Sequence, residues 1–69
     1  MSDAELLYDA GTTIYNQIAK LRRGLPIAEA KARTGAEKLQ IKVKYLSKIS
    51  ALDAQYKAVY VALEKAVKV

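Results

Sequence analysis

Few side chains in this sequence are of the types that carry out catalysis. There is no histidine and no cysteine, so the commonest general base, the thiolate nucleophile and the usual zinc ligands are missing. Ser47 and Lys48 could form a nucleophilic pair, but as neighbours they point about 100° apart on a helix. The carboxylates are scattered and form no pair for acid–base work: Asp3, Glu5, Asp9, Glu29, Glu37, Asp53 and Glu64. We therefore predict that the protein is not an enzyme and binds no metal or cofactor.

Basic side chains are more informative, because they are concentrated in the middle of the chain. The net charge is +5, yet residues 20–48 carry nine bases against Glu29 and Glu37, and residues 1–19 carry none. Such a stretch suits an acidic protein surface, nucleic acid or anionic lipid, or it simply keeps an alanine-rich helix solvated. The nine bases are Lys20, Arg22, Arg23, Lys31, Arg33, Lys38, Lys42, Lys44 and Lys48.

A length of 69 residues predicts a single domain, residues 1–69, near the lower limit of what one core can stabilise. Neither disulfides nor the usual metal sites can add stability to this small domain, so oligomerisation is the remaining way to stabilise it. The lack of cysteine also favours the cytoplasm. No apolar run reaches the roughly 20 residues that a membrane span needs, and no signal peptide is recognisable.

The first helix is predicted over residues 3–23. Ser2 and Glu5 have the spacing of a capping box at its start. Gly24 is a favourable left-handed cap, and Pro26 suits the first turn of a following helix. With so short a connection, the second helix must fold back to form an antiparallel hairpin. The apolar residues of the first helix are Leu7, Ala10, Ile14, Ile18 and Leu21.

The second helix is predicted over residues 26–68 and carries two apolar stripes about 120° apart. The first stripe matches the first helix in length and is expected to pack on it: Ala28, Ala32, Gly35, Leu39, Val43 and Leu46. The second stripe then has no partner left in the chain, and monomers rarely expose such a patch. We therefore predict an all-α helical hairpin that forms a homodimer through this second stripe: Ile41, Tyr45, Ile49, Leu52, Tyr56, Tyr60, Leu63 and Val67.

Three alternatives remain open for the middle of the chain. Residues 39–45 alternate in polarity as a half-buried strand does, although no second strand is available to pair with them. A break near residues 47–53 would begin a third helix, because serine and aspartate there can act as caps. A helix-turn-helix centred on Gly35 would bury Lys31, which is unfavourable.

The surface that binds a partner is predicted around the basic middle of the chain. Tyrosine is frequent at interface hot spots, so one tyrosine joins four bases in this surface: Arg22, Arg23, Lys38, Lys42 and Tyr45. We predict a protein-binding module. A small dimeric nucleic-acid-binding protein that uses the same basic stretch is the alternative.

The stretch Gly24-Leu-Pro-Ile-Ala-Glu-Ala-Lys-Ala32, between an amphipathic helix and a long one, resembles a pattern found in small phage and prophage proteins. Some proteins of this type, the phage quorum-sensing anti-activator among them, bind host regulators and switch them off. The resemblance implies a phage-encoded inhibitor of a host regulatory protein, such as a transcription regulator, in the host cytoplasm. It identifies no functional residue.

Overall fold

Residues 2–67 are described by a computed structural model, in which two long α-helices are joined by a short turn. Helix α1 spans Asp3–Ala30 and helix α2 spans Gly35–Val67. The molecule measures 53 × 16 × 11 Å, so the helices lie side by side. Gly24 lies against Tyr45 near the turn, and the rings of Tyr15 and Tyr56 lie 6.2 Å apart farther along. These pairs show that the helices are antiparallel, which confirms the all-α helical hairpin with a long second helix.

Helix α1 begins where the sequence predicts but extends well beyond its expected end. The Ser2 hydroxyl accepts a hydrogen bond from the Glu5 amide at 3.2 Å, as a capping residue does. The helix then passes through Gly24 and Pro26, and no described glycine has a positive φ. The predicted end at residue 23 and the left-handed cap at Gly24 are therefore wrong.

Continuous burial explains why α1 runs through a glycine and a proline. The side of α1 that faces α2 repeats at steps of three and four residues, and Leu25 and Ala28 continue this repeat beyond Leu21. Ending the helix before the glycine would remove both from that side. Gly11 belongs to the repeat in place of the expected Ala10, which is exposed. The buried and half-buried members are Ala4, Leu7, Gly11, Ile14, Ile18, Leu21, Leu25 and Ala28.

A second capping box, which we did not predict, closes the turn. The Thr34 hydroxyl accepts a hydrogen bond from the Glu37 amide at 3.1 Å, and the Glu37 carboxylate accepts one from the Arg33 amide at 3.0 Å. Threonine followed three residues later by glutamate is the sequence signature of a helix start. Helix α2 therefore begins at Gly35, and the predicted beginning at Pro26 is wrong.

Helix α2 is continuous over the whole of Gly35–Val67. The strand alternative for residues 39–45 and the break near residues 47–53 are therefore wrong. No glycine or proline follows Gly35, and apolar residues at steps of three and four carry on through both stretches. The end that we predicted at residue 68 lies outside the described residues.

The two apolar stripes of α2 have the reverse of their expected roles. The second stripe packs on α1 over most of its length, with Ile49 buried and the following half-buried: Ile41, Tyr45, Leu52, Tyr56 and Leu63. Tyr60 and Val67, nearer the open end, are exposed. The first stripe faces away from α1, since Leu39, Val43 and Leu46 are 61 %, 57 % and 50 % exposed.

The late start of α2 explains this reversal. Ala28 lies on α1 and Ala32 lies in the turn, so the part of the first stripe that remains on α2 is short. The second stripe runs from Ile41 to the open end and matches the length of α1 instead. We assigned the homodimer to the second stripe because nothing in the chain would cover it, and that premise is wrong.

Gly35→Pro is expected to leave the fold intact and to change the free energy of unfolding by less than about 1 kcal/mol. Gly35 is the first residue of α2, and an added Cβ would meet nothing within 4 Å. The close packing on α1 that we predicted for Gly35 is therefore wrong. Urea denaturation followed by circular dichroism measures the effect.

Lys38→Pro is the control, because the Lys38 amide donates a hydrogen bond to the Thr34 carbonyl at 3.1 Å. This variant should lose about 3 kcal/mol or more. A similar loss in Gly35→Pro would contradict the position of the helix start.

Candidate functional site

Three aliphatic side chains stand close together, in the half of α2 nearer the turn, on the side that faces away from α1: Leu39, Val43 and Leu46. Their steps of four and three residues place them along one line on the helix surface. Together with four small residues that continue the line, Ser47, Ser50, Ala51 and Ala54, they form what we call the outward face. This face is the candidate site, because it is apolar and nothing in residues 2–67 covers it.

Two shallow depressions follow one another along the outward face. The first is lined by Gly35, Lys38, Leu39 and Lys42. The second is lined by Val43, Leu46 and the four small residues, none of which is charged. Small side chains allow the backbone of another helix to come close, and the neighbouring valine and leucine offer apolar contact. The chemistry of this surface is therefore burial of apolar area.

The two ends of the hairpin carry opposite net charge. Residues 20–48 form the turn half and carry nine bases against two acids, a net charge of +7. The other described residues, 2–19 and 49–67, carry five acids against two bases, a net charge of −3. Since Lys38 and Lys42 border Leu39 in the first depression, the outward face has a basic edge at its turn end.

The predicted partner-binding residues fall into three different settings. Lys38 and Lys42 come together in the first depression, while Arg22 and Arg23 are exposed on α1. Tyr45 is half-buried, and its Cε2 would lie 3.5 Å from a Cβ added at Gly24. Its ring therefore packs between the two helices, which leaves little of it for a partner.

Sequence reasoning placed Leu39, Val43 and Leu46 inside the hairpin and missed the four small residues altogether. The distribution of charge along α2 could have revealed the outward face. A helix with a single neighbour normally carries charge on its opposite side. Here the second depression has none, and the nearby Lys44 and Lys48 are not part of its lining.

A second exposed surface, rich in tyrosine, lies towards the open end of the hairpin. Tyr8, Tyr15 and Tyr60 are all exposed. Tyr60 shares a shallow depression with Asp53 and Lys57, whose side chains form an ion pair at 3.3 Å. The tyrosine surface therefore contains one charge of each sign, whereas the second depression of the outward face contains none.

Metal-ligand clusters and membrane-spanning helices are absent from the described part of the chain. Within residues 2–67, no three acidic side chains come together as a metal site requires. Neither α1 nor α2, over the residues described, is long and apolar enough to cross a membrane. Comparison of the chain with protein-family models, with curated proteins and with solved structures finds no match. The outward face and the basic turn half are thus the features from which function is argued.

Proposed function

We propose that the protein is a non-enzymatic protein-binding module that docks a helix on the outward face of α2. The observation that carries this proposal is the exposure of Leu39, Val43 and Leu46 on a helix whose other side is already occupied by α1. Full burial of a side chain of this size contributes roughly 1.5–3 kcal/mol relative to full exposure. Because the apolar contacts repeat at helical spacing, an amphipathic helix matches them better than an extended segment does.

The basic edge of the outward face determines which kind of helix binds there most favourably. Lys38 and Lys42 flank Leu39, and the whole turn half adds a positive field. A partner helix with acidic residues beside its apolar stripe is therefore favoured, and its association is accelerated by the charge. In this proposal the exposed Arg22 and Arg23 contribute through that field.

Val43→Asp is expected to reduce docking at least about tenfold, because a charge would be buried against the partner without compensation. The measurement places a photo-crosslinking residue at Ser47, which lines the second depression next to Leu46, and uses extracts of cells that express the chain. Wild-type protein should give a discrete adduct, and Val43→Asp should lose it.

Ile27→Asp is the matched control, since Ile27 is an exposed β-branched residue that lies on α1 and therefore outside the outward face. Its adduct yield should equal that of the wild-type chain. No adduct from the wild-type chain, or equal yields from both aspartate variants, would contradict the proposal.

The charge of the turn half favours a second candidate, a small nucleic-acid-binding protein. A net charge of +7 over residues 20–48 suits phosphate contacts. The two helices lie side by side and do not cross as in a helix-turn-helix, so such binding would address the backbone more than the bases. Affinity for duplex DNA that falls by orders of magnitude from low to moderate salt would support this candidate.

The resemblance of residues 24–32 to small phage proteins suggests a biological role for the docking module. In that role the chain is a phage-encoded inhibitor that occupies a helix-binding surface of a host regulatory protein. Mass spectrometry of the Ser47 adduct identifies its second component, and this role requires that component to be a regulatory protein of the host.

A further inference from the structure

We propose that the helix docked on the outward face is α2 of a second copy of this chain, packed antiparallel to the first. The inference rests on the proposed docking function and names its occupant. The resulting homodimer is a four-helix arrangement, in which the two α2 helices lie in the centre and each is covered on its other side by its own α1. Its interface is the outward face, and the stripe that includes Ile49 remains inside each hairpin.

The exposed area of the chain supports an interface of this kind. The hairpin exposes 5391 Å². A compact monomer of 7.6 kDa is expected to expose about 4,300 Å², so the chain has a surplus of roughly 1,100 Å². A stable interface of standard size buries about 800 Å² on each partner. The surplus on one chain is therefore sufficient for its share of a dimer interface.

The distribution of side-chain size along the outward face is what makes the face self-complementary. Its first part carries the large residues, from Leu39 to Leu46, and its second part carries only serine and alanine. An antiparallel pair with its twofold axis between Leu46 and Ser47 places the large part of each copy over the small part of the other. The facing pairs across the two copies are Leu39 with Ala54, Val43 with Ser50, and Leu46 with Ser47.

Charge distinguishes the antiparallel pair from a parallel one. In the antiparallel pair Lys42 of one copy stands opposite Ala51 of the other, and Lys38 stands opposite Gln55. A parallel pair would bring each lysine next to its own counterpart, and this repulsion costs affinity. The antiparallel pair therefore packs large residues on small ones and also keeps Lys38 and Lys42 away from their counterparts.

Light scattering coupled to size-exclusion chromatography tests the dimer. At tens of micromolar the wild-type chain should have twice the chain mass of 7.6 kDa. Val43→Asp should raise the dissociation constant of the dimer by roughly 100-fold or more and elute as a monomer. Ile27→Asp should remain a dimer, because Ile27 is exposed on α1, outside the outward face. A monomeric wild-type chain, or a Val43→Asp variant that stays dimeric, would overturn the proposal.

Disulfide trapping tests the register independently, because the chain has no cysteine of its own. Ser47→Cys lies near the twofold axis and should form a disulfide-linked dimer under mild oxidation, whereas the exposed Ala58→Cys should not. A mixture of Leu39→Cys and Ala54→Cys chains should form the mixed dimer. Disulfides need Cα atoms within about 7 Å, so Leu39→Cys alone should not crosslink. Crosslinking of Leu39→Cys alone in place of the mixed dimer would show parallel packing and overturn the antiparallel pairing.

The two proposals fail in different ways. If the wild-type chain is a monomer but the Ser47 photo-crosslinker still captures a different protein in a Val43-dependent way, docking stands and the second copy is excluded as occupant. If the chain is a monomer and no adduct depends on Val43, both proposals are wrong. A wild-type dimer whose Ser47 adduct has twice the chain mass supports both.

Discussion

Ile49→Ala should lower the free energy of unfolding by about 2–5 kcal/mol, a large part of the stability of so small a domain. Ile49 is 8 % exposed and is the buried residue of α2 at the contact with α1. Truncation removes apolar contacts and leaves a cavity between two long helices that cannot fully collapse. Urea denaturation followed by circular dichroism at 222 nm provides the unfolding free energy and its denaturant dependence.

Ile27→Ala is the matched control, because it makes the same change at an isoleucine of α1 that is 61 % exposed. Its effect should lie within about 0.5 kcal/mol of zero. Both isoleucines lie outside the outward face, so the comparison does not depend on the dimer. Equal effects in the two variants would mean that the second stripe does not pack on α1.

Pro26→Ala is expected to raise the free energy of unfolding by up to about 3 kcal/mol. Pro26 lies inside α1 and is exposed, so the substitution removes no buried contact. The alanine amide can donate to the Arg22 carbonyl, and Leu25 is freed from the restriction that a following proline imposes. Chemical denaturation of the two proteins at equal concentration measures the difference.

Pro26→Gly supplies the control for this substitution. Glycine also restores the amide but is about 1 kcal/mol less favourable than alanine in a helix interior, so its gain should be smaller by that amount. A proline in the first turn of a helix costs no stability, and for that reason we predicted that the second helix begins at Pro26. If Pro26→Ala leaves the free energy of unfolding unchanged or lowers it, Pro26 does not lie inside a helix. That result would support the predicted end of the first helix near residue 23.

Local signals along the chain were sufficient for the fold class and for one helix start. Ser2 and Glu5 predicted the beginning of α1, and the hydrogen bond between them confirms it. No glycine or proline lies near residues 47–53, which favoured a continuous helix there over a break, and α2 is continuous through this stretch. Capping and helix propensity act within a few residues, so their effects are visible in the sequence.

The turn could not be placed correctly from the same kind of signal. Gly24 and Pro26 have the residue types of a helix end and a helix start, and each preference is worth about 1–3 kcal/mol. Against them stands the burial of Leu25 and Ala28 along α2, together with the capping box at Thr34. The sum over a long interface exceeds a local preference, and that sum exists only once the second helix is in place.

By itself the sequence determined that the chain is helical, that α2 has two apolar stripes and that one of them lacks a partner within the chain. Which stripe that is was decided only by the tertiary structure. Moving the turn from Gly24 to residues 31–34 changes which residues of α2 lie beside α1, and it turns Leu39, Val43 and Leu46 away from it. Periodicity describes the faces of a single helix, whereas the choice between two faces depends on the length and position of the helix packed against them.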